Sequence, residues 1–213
     1  MMGLARWDLL DALARRLGAL RYLEVGVQNG DCFGKVRVAE KVGVDPVKGT
    51  AATINLTSDA YFAQLPKEER FDLVFVDGLH HRDQVHRDIL NAWEHLTPGG
   101  AIVVHDCDPP NEAAGSRAQC GGIWCGDVWR GWMDARRSLA GRAYLGVVAT
   151  DLGCGLVLPL GEGRVEVPPP WSVEETDRAT WDFFAHRRAQ WLNTIHPDAF
   201  HALVETLAPL RKE

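Results

Sequence analysis

The 213-residue chain is 46% hydrophobic and 24% charged and carries a net charge of −6. That balance suits one globular domain built on a central sheet covered on both faces. The acidic charge argues against nucleic acid as a partner, because phosphate binding needs a basic surface, and no apolar run is long enough to span a bilayer.

Residues 1–17 read as an amphipathic helix with Leu9, Leu10, Leu13 and Leu17 on one stripe. Arg6, Asp8, Asp11, Arg15 and Arg16 interrupt it, so it lacks the continuous apolar core of a secretory signal, and the expected location is the cytoplasm. The five cysteines are an odd number without compact spacing, which argues against a disulfide framework. Cys120 and Cys125 have neither the CxxC spacing nor the paired histidines of a structural zinc site.

Residues 22–26 predict a buried strand running into a glycine turn, residues 32–41 a helix, and residues 42–45 a second strand stopped by Pro46. A third strand is expected over 53–57, with Ser58 and Asp59 capping a helix through Leu65. The strongest strand pattern is 71–77, followed by a helix over 82–96 that the Thr97-Pro98-Gly99-Gly100 turn ends, then a strand over 101–105. The irregular stretch 106–126 has the length of a functional loop. A helix over 127–139, strands over 143–148 and 154–158, a break at Pro168–Pro170 and a helical region over 173–210 complete the chain. Alternating strands and helices predict an α/β, doubly wound, Rossmann-like fold with a mostly parallel seven-stranded sheet and helices on both faces. The whole chain forms one domain in this reading: an N-terminal helix (1–20), a core (21–160) and a C-terminal helical extension (171–210).

In such folds ligands bind at the carboxyl ends of the strands. Gly26 and Gly30 flank the first turn, where the backbone can approach a ligand without an intervening Cβ. Asp45 ends the second strand, where a carboxylate can accept hydrogen bonds from two ribose hydroxyls. Glu24, Gly26, Gly30 and Asp45 together resemble the first and second motifs of class I methyltransferases. A nicotinamide-binding turn would prefer Gly-x-Gly-x-x-Gly, whereas Gln28 and Asp31 stand here. Segments 71–78, 96–100, 104–110, 126–129 and 151–155 resemble a bacterial O-methyltransferase family grouped with macrocin-type sugar O-methyltransferases.

The resemblance implies S-adenosylmethionine as cofactor, with Glu24, Gly26 and Gly30 around its methionine part, Asp45 at the ribose, Ser58 bordering the adenine and Asp77 beside the reacting end. It also implies a magnesium site at Asp77 and Asp106, with Cys107 departing from the pattern and Asp108 a substitute ligand. His80, three residues after Asp77, is the expected general base, because an imidazole titrates near neutral pH. His81 is its rival, and His105 a supporting group or ligand. Trp124, Trp129 and Trp132 suit either stacking on a ring-shaped acceptor or core packing. Trp181, Phe183, Phe184, Trp191 and Leu192 suit packing or a homodimer contact. The expected reaction is O-methylation of a small polar acceptor, such as a sugar, glycan or natural-product precursor. N- or carboxyl-methylation and a non-catalytic S-adenosylmethionine-binding subunit are the alternatives.

Overall fold

The computed structural model describes residues 4–161 and 171–207. The Pro168–Pro170 break and the ends of the first and last expected helices lie outside them. The first helix, α1 (Arg6–Leu17), buries Leu9, Leu10, Leu13, Ala14 and Leu17. Asp8 accepts a hydrogen bond from the Ala5 N–H at its start (3.0 Å), Arg15 and Arg16 lie in its last turn, and Gly18 closes it in a left-handed conformation.

The sheet has seven strands: β1 (Arg21–Val25), β2 (Glu40–Val44), β3 (Phe71–Val76), β4 (Leu96–Val104), β5 (Ala143–Val148), β6 (Cys154–Pro159) and β7 (Thr194–Ile195). Their order is β2-β1-β3-β4-β6-β5-β7. Only β6 runs antiparallel to its neighbours. The sheet is therefore mostly parallel and doubly wound, as expected. All six residues of β3 are buried, which explains the apolar run from Leu73 to Val76. Alternate residues serve opposite faces. Val74 and Val76 pack in one core cluster, with α3 (Arg82–Glu94) and α4 (Val128–Ser138), while Leu73 and Phe75 pack in another, with α1 and α7 (Phe200–Leu207).

Four local expectations are corrected. Residues 32–41 form no helix: 31–35 make turns, the Lys41 ammonium donates to the carbonyls of Phe33 and Val36, and Glu40 and Lys41 are drawn into β2 opposite Arg21 and Tyr22. Residues 53–57 form no strand. Ile54 makes a single bridge to Val44, and the Thr53 hydroxyl accepts from the Gly43 N–H at 3.0 Å. Thr97–Gly100 does not stop a helix but lies inside β4, where the pairing with β3 slips between Phe71 and Leu73. The C-terminal helical region is interrupted by a strand. It divides into α5 (Val173–Arg178), α6 (Trp181–Leu192), β7, a 3-10 turn (Pro197–Ala199) and α7, because Asn193 takes a left-handed conformation that ends α6.

The seventh strand thus comes from the C-terminal region and not from 53–57. Phe184, Trp191 and Leu192 are buried within this chain, with Trp129 stacked on Phe184 at 4.2 Å and Trp171 near Trp191. Trp129 and Trp132 are likewise core. Among the described residues, no helix is long and apolar enough to cross a membrane.

Candidate active site

A cavity of about 670 Å³ opens at the carboxyl ends of β1, β2, β3 and β4, within the size range of small-molecule sites. The turn after β1 forms its floor. Gly26 has φ +87°, and a Cβ there would meet the Asp77 carbonyl oxygen at 2.0 Å, so β1 and β3 can end side by side only with glycine at this position. Glu24 is buried, and burial pushes its carboxyl up to about 7 against the Tyr22 hydroxyl that donates to it. At the end of β2, Asp45 accepts from the backbone N–H groups of Gln28 (3.0 Å) and Val47 (2.8 Å). It thereby ties the glycine turn to the strand end while lining the cavity.

Thr57, not Ser58, caps α2 (Ser58–Gln64), its hydroxyl accepting from the Ala60 N–H at 3.2 Å. Ser58 is free of that duty. It lines the cavity and accepts from the Gln84 amide at 3.1 Å. Glu24, Gly26, Asp45, Ser58 and Asp77 thus all line the same cavity. Gly30, with φ +79°, shapes the turn behind it.

The opposite end holds a dense polar cluster. His80 lies with Nε2 3.4 Å from Asp77 Oδ1 and Nδ1 3.3 Å from Asp106 Oδ2. His105 brings Nδ1 to 3.3 Å from Asp77 Oδ1 and 3.2 Å from Asp106 Oδ1, with Nε2 3.6 Å from Asp151. Burial disfavours every charge here, yet the pairing outweighs it. His105 and His80 hold the Asp77 carboxyl well below the usual range, and the carboxylates raise both imidazoles above their ordinary value. Trp124 stacks on His80 at 5.1 Å between centroids and lines the cavity. His81 is the residue before α3, and its ring meets Trp124 edge-on at 6.3 Å, apart from the carboxylates.

Arg6 and Asp151 were not expected in this cluster. The Arg6 guanidinium donates through Nη1 to Asp77 Oδ2 (3.0 Å) and through Nε to Asp151 Oδ2 (3.1 Å), which also accepts from the Arg6 backbone N–H (2.9 Å). Arg6 precedes Asp77 by 71 positions, and nothing in the local pattern of α1 marks it out. Only its place on the polar side of an amphipathic helix could have drawn attention.

The donor set suits magnesium poorly, because an imidazole stands between the two carboxylates. Asp77, His80 and Asp106 each offer one ligand atom, all within 4.8 Å of one another. Magnesium, however, demands oxygen ligands in octahedral geometry. Asp108 is not gathered with them but pairs with Arg188 at 2.8 Å. The Cys107 thiol is buried and points to the Val104 carbonyl oxygen at 3.5 Å. The remaining face of Asp77 holds Arg6.

Residues 12–107 match the family model described as a methyltransferase domain. No curated protein sequence matches the chain. Solved structures share its fold. An O-methyltransferase from Bacillus cereus, in complex with SAH, is 14% identical over 72% of this chain and 80% of its own, with TM-score 0.54. The O-methyltransferase TomG from Streptomyces achromogenes, involved in tomaymycin synthesis and in complex with SAM, is 20% identical over 73% and 80%, with TM-score 0.52. The SAH-bound methyltransferase PaMTH1 from Podospora anserina is 15% identical over 73% and 78%, with TM-score 0.52. The matched residues run from the middle of α1 through β4 and include the glycine turn, Asp45, Asp77, His80 and Asp106, but not Arg6.

Proposed function

We propose that the chain is an S-adenosylmethionine-dependent O-methyltransferase acting on a small polar acceptor such as a sugar, glycan or natural-product precursor. One observation carries this reading: a single cavity runs from the glycine turn and Asp45 to Asp77, His80 and Asp106. Glu24, Gly26 and Gly30 would surround the methionine part of the cofactor, Asp45 would accept from its ribose hydroxyls, and Ser58 would border its adenine. S-adenosylmethionine, when bound, supplies a methyl carbon activated by its sulfonium. A ring nitrogen of His80 takes the acceptor's hydroxyl proton as the oxygen–carbon bond forms and the carbon–sulfur bond breaks. Asp77 and Asp106 orient that imidazole and stabilise its protonated form. The SAM and SAH bound in the neighbouring structures support the choice of cofactor.

The setting we propose is the cytoplasm, which suits five free cysteines, four of them buried. Calorimetry with S-adenosylhomocysteine, followed by transfer of isotope-labelled methyl to a panel of hydroxyl, amine and carboxylate acceptors, tests the reading. Saturable binding and label on a hydroxyl acceptor are expected. No binding overturns the cofactor, and label confined to amines or carboxylates overturns the O-directed assignment.

A further inference from the structure

We propose that Arg6 is the resident cation of this site, a positioning residue that occupies the side of Asp77 a divalent ion would need and so makes the centre independent of metal. The argument begins with how firmly the guanidinium is held. Asp151 Oδ2 accepts from both the backbone N–H and Nε of Arg6, which fixes the side chain at two points before it reaches the cavity. Asp151 itself is set for this by the turn between β5 and β6, where it and Leu152 take left-handed conformations (φ +46° and +61°). From that anchor Nη1 extends to Asp77 Oδ2 at 3.0 Å and lies 3.2 Å from His105 Nδ1.

Charge leads to the same conclusion. Three carboxylates, Asp77, Asp106 and Asp151, face one guanidinium and two imidazoles. A guanidinium in a protein is not deprotonated, so the positive charge beside Asp77 is permanent, and a dication there would meet it at close range. One feature favours an ion: Asp106 Oδ1 is buried and accepts no hydrogen bond of good geometry. That oxygen nevertheless lies 3.2 Å from His105 Nδ1, so an imidazole already occupies its near side. Arg6 precedes residues 12–107, so the match to the methyltransferase domain assigns it nothing.

Only the catalytic consequence rests on the methyltransferase reading, namely that Arg6 holds Asp77 in place against His80. The exclusion of an ion can be measured without cofactor or acceptor. The native protein, its Arg6→Gln and Asp77→Asn variants and the Arg6→Gln/Asp77→Asn double variant are titrated with manganese chloride in a calorimeter, with circular dichroism reporting the fold. The native protein is expected to show no saturable site. Arg6→Gln should gain one equivalent that binds at least about 10-fold more tightly, and the second substitution should abolish it. A native site lost in Asp77→Asn, or a folded Arg6→Gln that binds manganese no better than the native protein, overturns the proposal. If Arg6→Gln does not fold, the native protein and Asp77→Asn decide alone: a saturable site that Asp77→Asn removes overturns it, and the absence of one upholds it. S-adenosylhomocysteine binding on the same samples separates the two readings, since its failure sinks the methyltransferase assignment and leaves the manganese result standing.

Discussion

The α-carbon of Gly126 lies so close to the backbone of His80 that a Cβ added there would meet the His80 carbonyl oxygen at 1.9 Å. The contact is reinforced by the Asp127 N–H, which donates to the same oxygen at 3.1 Å. Gly126 also has φ +59°, where a side chain is strained. Gly126→Ala therefore pushes His80 away from Asp77 and Asp106. The variant should lose about 1–3 kcal/mol of stability in urea melts and at least about 10-fold in methyl-transfer rate. Unchanged stability and unchanged turnover would show that the loop exit does not position the histidine.

His80→Gln removes the proton acceptor but keeps a polar group between the two carboxylates. The rate should fall by about 10²–10⁴-fold while the dissociation constant for S-adenosylhomocysteine stays within a few-fold. The pH profile carries a sign. Because Asp77 and Asp106 raise the His80 imidazole against the opposing effect of burial, it is protonated, and unable to accept a proton, until the pH exceeds its ordinary value. The native rate should therefore rise with pH along a limb centred above 6.5, and His80→Gln should lack that limb. A flat native profile from pH 6 to pH 9 contradicts this role for His80.

Asp45→Ala tests the other end of the cavity. The substitution removes an expected ribose acceptor and also releases the N–H groups of Gln28 and Val47. Hydrogen bonds to a charged group contribute about 1.5–3 kcal/mol each, so cofactor affinity should weaken by at least about 10-fold. Calorimetry is the check, and an affinity within two-fold of native overturns the ribose assignment.

Asp88 provides a stability test away from the chemistry. It is fully buried in α3, its Oδ1 accepts from the Gln84 amide at 3.0 Å, and its Oδ2 lacks a hydrogen-bond partner. Burial pushes its carboxyl up to about 6 from an ordinary 3.8. The folded state then binds the proton more tightly than the unfolded state. Stability contributed at low pH is lost as pH rises through the window from about 4 to about 6. The loss is on the order of 2–3 kcal/mol. Asp88→Asn should be at least as stable as the native protein at pH 7, and the difference between the two should shrink at pH 4. Urea melts at both values measure it, and an equal gap at the two pH values rejects the assignment.

The strand ends were legible because three of the strands finish on buried apolar residues and then meet an acid: Asp45, Asp77 and Asp106 each stand one or two residues beyond the last strand position. A parallel sheet gathers those stops at one edge, so a pattern along the chain becomes a pocket in space. Where tertiary contacts override local pattern, the sequence misled. Residues 32–41 resemble a helix, yet the pairing of Glu40 and Lys41 with β1 and the reach of Lys41 back to Phe33 hold them in turns. The Asp108–Arg188 pair and the Arg6–Asp77 pair join residues 80 and 71 positions apart, and no short-range spacing encodes either.

The long loop after β4 is fastened close to the chemistry on both sides. Asp106 begins it in the polar cluster, Trp124 leans on His80 near its exit, and between them the Trp124 indole donates to the Ser116 carbonyl and the Cys125 N–H to the Ala114 carbonyl. Residues 118–122 extend beyond these fastenings into solvent. Loop tips of this kind tolerate change, so residues 118–122 can vary in sequence while the fastenings at Ser116, Trp124 and Cys125 keep Asp106 and His80 in place.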